Sequence, residues 1–184
     1  VRGGPRDACP ADWRDLLPPG RAVALYFGTE FCEDRLPDLD DANAYCAVAR
    51  AHGLEPTLTT PLVSPEGLGK VDRLLAGLAS NGWRPAVVFN DWGVLELLRE
   101  RHRTLPRRAG RLVNRSLRDP RAYRDAPAGT ATHDASRFTR LRTLLRSLGV
   151  EAIETDADLE GGFLGDRDDG GTTPLDRALH FPFT

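Results

Sequence analysis

The 184-residue chain has no methionine, and Lys70 is the single lysine among its 25 basic residues. A GC-rich coding sequence that favours arginine codons is the plain account of that bias, ahead of any general phosphate-binding role for arginine. The chain also lacks an apolar run approaching the ~20 residues needed to cross a bilayer. Its three cysteines, Cys9, Cys32 and Cys46, are odd in number and form no C-x-x-C pair, which argues against a disulfide framework. A formal charge of −2 gives no global attraction to nucleic acid or acidic lipid. No G-x-G-x-x-G or P-loop follows the first apolar run, and neither H-E-x-x-H nor G-x-S-x-G occurs. The opening "VRGGPRDACPADWRD" has no apolar centre and does not read as a secretory signal, so a cytoplasmic protein is expected. A start at Val1 and an ending on "ALHFPFT" predict a piece of something longer.

What is present describes an ordinary folded domain, 40% apolar and 28% charged. Short apolar runs alternate with helical patterns. "AVALYFG" (22–28), "PTLTT" (56–60), "PAVVFN" (85–90), "AGRLVN" (109–114), "VEAIETD" (150–156) and "ALHFPF" (178–183) read as strands. Between them, "LDDANAYCAVARAHG" presents Ala42, Tyr45, Cys46 and Ala49 on one face, with Gly53 as its stop. "SPEGLGKVDRLLAGLASNG" opens with Ser64 as N-cap and Pro65 at the first helical position, and presents Leu68, Val71, Leu74, Leu75 and Leu78. "DWGVLELLRERH" starts from Asp91 as cap, and "ASRFTRLRTLLRSLG" presents Phe138, Leu141, Leu144, Leu145 and Leu148. The Pro- and Arg-rich stretch 115–134 reads as a loop or lid.

Strands alternating with helices imply right-handed βαβ units and a parallel sheet of about six strands in one α/β domain. An open doubly wound sheet and a partial TIM-like (β/α) barrel both satisfy this pattern; a complete barrel usually needs ~200 residues or more. The barrel reading predicts that function gathers at the strands' C-terminal ends. Those ends are polar here: Gly28-Thr29-Glu30, Thr59-Thr60, Asn90-Asp91, Asn114-Arg115, Glu154-Thr155-Asp156 and His180. Thr59, Thr60, Asn90, Asp91, Asn114 and Arg115 are therefore the candidate substrate-binding residues, and Cys32 stands on the same rim.

Cys32 has three readings from local pattern: a small buried side chain, a nucleophile needing a base such as His180 or His133, or a metal ligand needing companions. Spacing leaves them open. Cys46, on a helix's apolar face, reads as core. "DRDDGG" (166–171) hints at a calcium loop, but the twelfth position is Arg177 where an acid is required, so a solvated turn is the better reading. The arginines from Arg99 to Arg124 have only Tyr123 among them as an aromatic and read mostly as solvated helix end and loop. Arg111 and Arg115, on or just past the fourth strand, are candidates to hold an anionic group.

The stretch "ALYFGTEFCEDRLPDLDDANAYCAVARAHGLEPTLTTPLVSPEGL", with the later "VVFNDWGVLELLRERH", "AGRLVNR" and "ALHFPFT", resembles the collagenase-like peptidase superfamily. It is most similar to the UbiV-type branch of oxygen-independent ubiquinone biosynthesis. The likeness rests on ordered short motifs: a strand ending in glycine followed by a cysteine, a strand ending Thr-Thr, and an Asn-Asp-x-Gly-Val-Leu helix start. The resemblance implies a TIM-like barrel and a 4Fe-4S cluster held by four cysteines, the first of which aligns with Cys32. It implies a UbiU-like partner, with a homo-oligomer as the alternative expectation, oxygen-independent hydroxylation involving prephenate, and a small anionic substrate. Other branches of the superfamily hydroxylate RNA bases or are classed with peptidases. The family's remaining three cluster cysteines have no counterpart here, since Cys9 and Cys46 do not match them. Three functions follow as expectations: a subunit of an Fe–S-dependent hydroxylase, a collagenase-like peptidase, and a non-catalytic partner or truncated remnant.

Overall fold

The computed structural model describes residues 24–113, 135–156 and 176–180; for 135–139, 155–156 and 176–180 it describes the backbone alone. The chain divides into two compact units, residues 1–106 and 107–184.

In the first unit, β1 (Ala24–Gly28), β2 (Glu55–Thr59) and β3 (Ala86–Phe89) alternate with α1 (Leu39–Ala51) and α2 (Pro65–Ser80), and α3 (Trp92–Glu100) follows β3. β1 pairs with β2 and β2 with β3, both in parallel, with Phe27 opposite Leu58 and Leu58 opposite Val87. Strand order follows chain order. Right-handed crossovers then place successive helices on one face of the sheet. The architecture is α/β with parallel pairing, as the alternation predicts.

The helix-facing row is the unit's core. Phe27 stacks on Tyr45 of α1 with ring centroids 5.3 Å apart, and Ala42, Cys46 and Ala49 are buried on the same helix. From α2, Val71, Leu74, Leu75 and Leu78 are buried, and from α3, Val94, Leu95, Leu97 and Leu98. Each buried Val or Leu contributes at most about 1.5–3 kcal/mol. α1 and α2 approach closely at Gly77, where an added Cβ would lie 2.8 Å from the Leu39 methyls. The opposite row keeps Thr57, Ala86 and Val88 fully buried, while Tyr26 on β1 is exposed.

Caps follow the sequence. Ser64 Oγ accepts from Gly67 N–H at 3.1 Å, Asp91 Oδ1 from Gly93 N–H at 2.6 Å, and Asp38 Oδ1 from Asp41 N–H at 2.9 Å. Each satisfies an amide that the helix itself leaves unbonded.

In the second unit, β4 (Arg107–Ala109), β5 (Ala152–Asp156) and β6 (Asp176–His180) pair in parallel in chain order, with α4 (Ala135–Ser147) before β5. The fourth strand corrects the expectation of 109–114. It ends at Ala109, and residues 111–113 turn, with Val113 N–H donating to Gly110 O at 3.1 Å. The pairing decides this: Arg108 and Ala109 take their register from Ala152 and Ile153, and Arg107 O accepts from Glu151 N–H at 2.9 Å. Arg111 therefore lies in a turn. α4 keeps Leu145 buried as its pattern indicates but departs from it at two positions: Arg142 is buried and Leu144 is exposed.

Candidate functional site: the rim at the strand ends of the first unit

The ends of β1, β2 and β3 feed three loops that two carboxylates stitch together. Gly28 makes the first exit possible. Its φ is +103°, and an added Cβ would strike Thr59 O, so the chain leaves β1 pressed against β2 in a conformation that side chains resist. Thr29 N–H then donates to Thr59 O at 3.0 Å. Cys32 follows, half-buried, its N–H 3.5 Å from Thr29 Oγ1. It leads into the short 3-10 turn Glu33–Arg35, none of whose residues is buried.

Glu33 crosses to the next loop. Its Oε2 accepts from Ser64 N–H at 2.7 Å and its Oε1 from Ser64 Oγ at 2.9 Å, at the N-terminus of α2. These two hydrogen bonds, the backbone one foremost, hold the Glu33 carboxyl below its ordinary pKa. Lys70, which pairs with Asp34 at 3.8 Å, adds a weaker pull in the same direction. From the other side, Asp91 Oδ2 accepts from Val63 N–H at 3.3 Å. The loop after β2 is thus held between an acid of the loop after β1 and an acid at the head of α3.

Beneath it lie the predicted Thr60 and Asn90. Thr60 is fully buried, with its Oγ1 donating to Val88 O at 3.0 Å and its N–H to the same oxygen at 2.9 Å. Asn90 is also buried, and its Nδ2 donates to Thr60 O at 2.9 Å. Thr59 is half-buried at the end of β2. The first four predicted substrate residues are therefore gathered with Cys32 at one edge. The described bonds of Thr60, Asn90 and Asp91 knit the rim itself. Asn114 and Arg115 lie outside the described residues, and the strand expected to carry them stops at Ala109. Glu154, another strand-end residue, is buried on β5 of the second unit. The possible base His133, Cys9, the stretch 166–171 and the whole of the 115–134 segment also lie outside the described residues; His180 is described by its backbone alone.

Sequence pattern missed two features. One is Glu33, whose partner stands 31 positions away. The other is apolar: Phe31 and Leu62 in the first two loops and Trp92 at the head of α3 are 72%, 56% and 49% exposed. The signal available was a large apolar side chain just past each strand end.

A 4Fe-4S cluster needs four protein ligands. Among the described residues no group of three or more His, Cys, Asp or Glu side chains is arranged to hold a metal ion. Cys46 is buried against the sheet, and that burial pushes its thiol up to about 11, against a smaller opposite pull from Arg50. It is core, as the pattern indicates, and a poor ligand. Of the two described cysteines only Cys32 stands at the rim, so the described residues do not make up the donor set of such a cluster.

The described arginines at the end of α3 are bonded locally. Arg99 pairs with Glu96 at 2.6 Å, Arg101 with Asp72 at 2.6 Å, and Arg103 Nε donates to Glu100 O at 3.3 Å. Among the described residues no helix is long and apolar enough to cross a membrane. No family model, no curated protein and no solved structure matches the chain.

Proposed function

We propose that the protein is a UbiV-like subunit of an oxygen-independent hydroxylase, built on a partial (β/α) barrel whose working face is the rim around Cys32. The observation that supports this reading most is the meeting of Cys32, Thr59, Thr60, Asn90 and Asp91 at the C-terminal ends of three sequentially ordered parallel strands. In this reading the rim orients a small anionic donor and its acceptor, and the hydroxyl transfer belongs to the assembled enzyme. A cluster would require thiolates beyond Cys32.

The non-catalytic partner reading has its own support. Phe31 and Leu62 on adjacent loops and Trp92 at the head of α3 stand exposed, as apolar anchors of a protein–protein contact do. The peptidase reading has no motif in its favour.

Deletion of the gene in its native host tests the proposal. The hydroxylase reading expects quinone precursors lacking ring hydroxyls to accumulate during growth without oxygen, with normal quinone in air. Restoration by the wild-type gene but not by Cys32→Ser assigns the rim; unchanged anaerobic quinone content overturns the hydroxylase reading.

A further inference from the structure

We infer that Glu33 is a positioning residue for Cys32, a latch that ties the loop carrying the thiol to the head of α2. The inference goes beyond the functional reading, since the latch sets the surroundings of Cys32 whether or not that thiol ever binds a metal.

Thr29 N–H, donating to Thr59 O, anchors the start of the loop, and Glu33 anchors its far end beyond Cys32. The turn Glu33–Arg35 buries no residue, and Phe31 beside Cys32 is largely exposed. The bond from Cys32 N–H to Thr29 Oγ1, at 3.5 Å, is at the long limit. The Asp34–Lys70 pair is exposed on both sides and contributes little. Against these, both carboxylate oxygens of Glu33 accept hydrogen bonds from one serine, one from its backbone and one from its side chain. Charge-assisted bonds of this kind are about twice as strong as neutral ones.

The α2 helix is shaped to admit the carboxylate. Gly67 lies within its first turn, and a Cβ added there would collide with Glu33 Oε2. Glycine is a poor helix residue relative to alanine. Its presence at this point leaves room for Glu33. Ser64 also serves both partners, since its Oγ donates to Glu33 while accepting from Gly67 N–H. The residue adjacent to Cys32 is therefore locked to a rigid element 31 positions away.

The test is alkylation of the native full-length chain with iodoacetamide, read at Cys32 by peptide mass spectrometry. Cys46, fully buried, reports from the same sample that the fold is intact. We expect Glu33→Ala to speed Cys32 alkylation at least about threefold by freeing the loop, with Cys46 still protected. Gly67→Ala should do the same by expelling the carboxylate, while the helix gains a better residue. Glu33→Gln should fall between wild type and Glu33→Ala, because its amide can still accept from Ser64 N–H and donate to Ser64 Oγ but without the charge that strengthens these bonds. Unchanged Cys32 rates in Glu33→Ala and Gly67→Ala overturn the latch. So does a Glu33→Gln rate equal to that of Glu33→Ala, which would assign the effect to lost charge alone. Should Glu33→Ala also expose Cys46, Gly67→Ala decides. The rates are read with a chelator present and need no hydroxylase activity, so the latch and the functional reading fail separately.

Discussion

Asp91 accepts the backbone N–H of Val63 with one carboxylate oxygen, at 3.3 Å, while the other caps α3 through Gly93. One acid at the end of β3 thereby fixes the loop that leaves β2. Replacing it by alanine removes a cap and a cross-loop bond together. Asp91→Ala should cost about 1–2 kcal/mol. Asp91→Asn, which keeps one acceptor oxygen, should cost about half as much. Urea denaturation midpoints at neutral pH separate the two, and equal midpoints for alanine and wild type would sink the assignment.

The rim's buried amide has a framework role that can be measured apart from any binding role. Asn90→Ala leaves Thr60 O without its Nδ2 donor and should cost about 2–3 kcal/mol. Thr60→Val removes only the hydroxyl from Val88 O, which keeps the Thr60 N–H, and should cost about 1 kcal/mol. A calorimetric series on the two variants should return that order.

Gly28 tolerates no side chain. With φ at +103° and Thr59 O in the place of a Cβ, Gly28→Ala must either strain the backbone or move β2. The expected loss is at least about 2 kcal/mol, seen as a lowered melting temperature. An alanine variant as stable as wild type would show that β1 does not leave the sheet as described.

Acid should weaken the first unit through Asp72. His102 Nε2 lies 2.8 Å from its Oδ1 and Arg101 Nη1 2.6 Å from its Oδ2, and the His102 bond is the larger cause of its lowered pKa. A carboxyl whose folded pKa is depressed contributes stability above its unfolded value of about 3.9. That contribution is lost as pH falls through the lower folded pKa. The stability gap between wild type and Asp72→Asn should therefore be full at neutral pH and close below about pH 4. Melting temperatures of both proteins across that range check the sign.

The thiols should separate cleanly. Burial pushes Cys46 up to about 11, so it should stay unreactive to a thiol reagent at neutral pH until the protein is unfolded. Cys32, half-buried at the rim, should react in the native state. Native labelling of Cys46 would overturn the placement of α1 on the sheet.

Much of the fold is legible from the chain itself, because local physics decides it. Apolar spacing of 3.6 residues names the buried faces of α1 and α2, and Ser64 and Asp91 announce the caps of α2 and α3, since a cap needs only residues within one turn. Alternation of strand and helix is enough for a parallel α/β fold. Where tertiary pairing competes with local pattern, the pattern misleads. The apolar look of "AGRLVN" suggests a strand through Asn114, but a strand exists only where a neighbour supplies hydrogen bonds, and β5 supplies them to Arg107–Ala109. Leu144 fits the same helical stripe as the buried Leu145, yet Leu144 is exposed and Arg142 is buried, because the surroundings of a helix decide which side turns inward.

The rim shows the same division. Its polar strand-end residues can be named in advance, because parallel strands direct their ends to one edge. That Thr60 and Asn90 would be buried and bonded to that edge, that Glu33 would reach Ser64, and that Gly67 would clear space for it depended on residues far apart in the chain. Side-chain hydrogen bonds across 31 positions carry no periodic signal. The sequence alone determined the starts of α2 and α3, the polar ends of β1, β2 and β3, and which described thiol reaches the rim. Only the tertiary structure decided which of those residues bond to one another, because that depends on loops brought together by the parallel register of β1, β2 and β3.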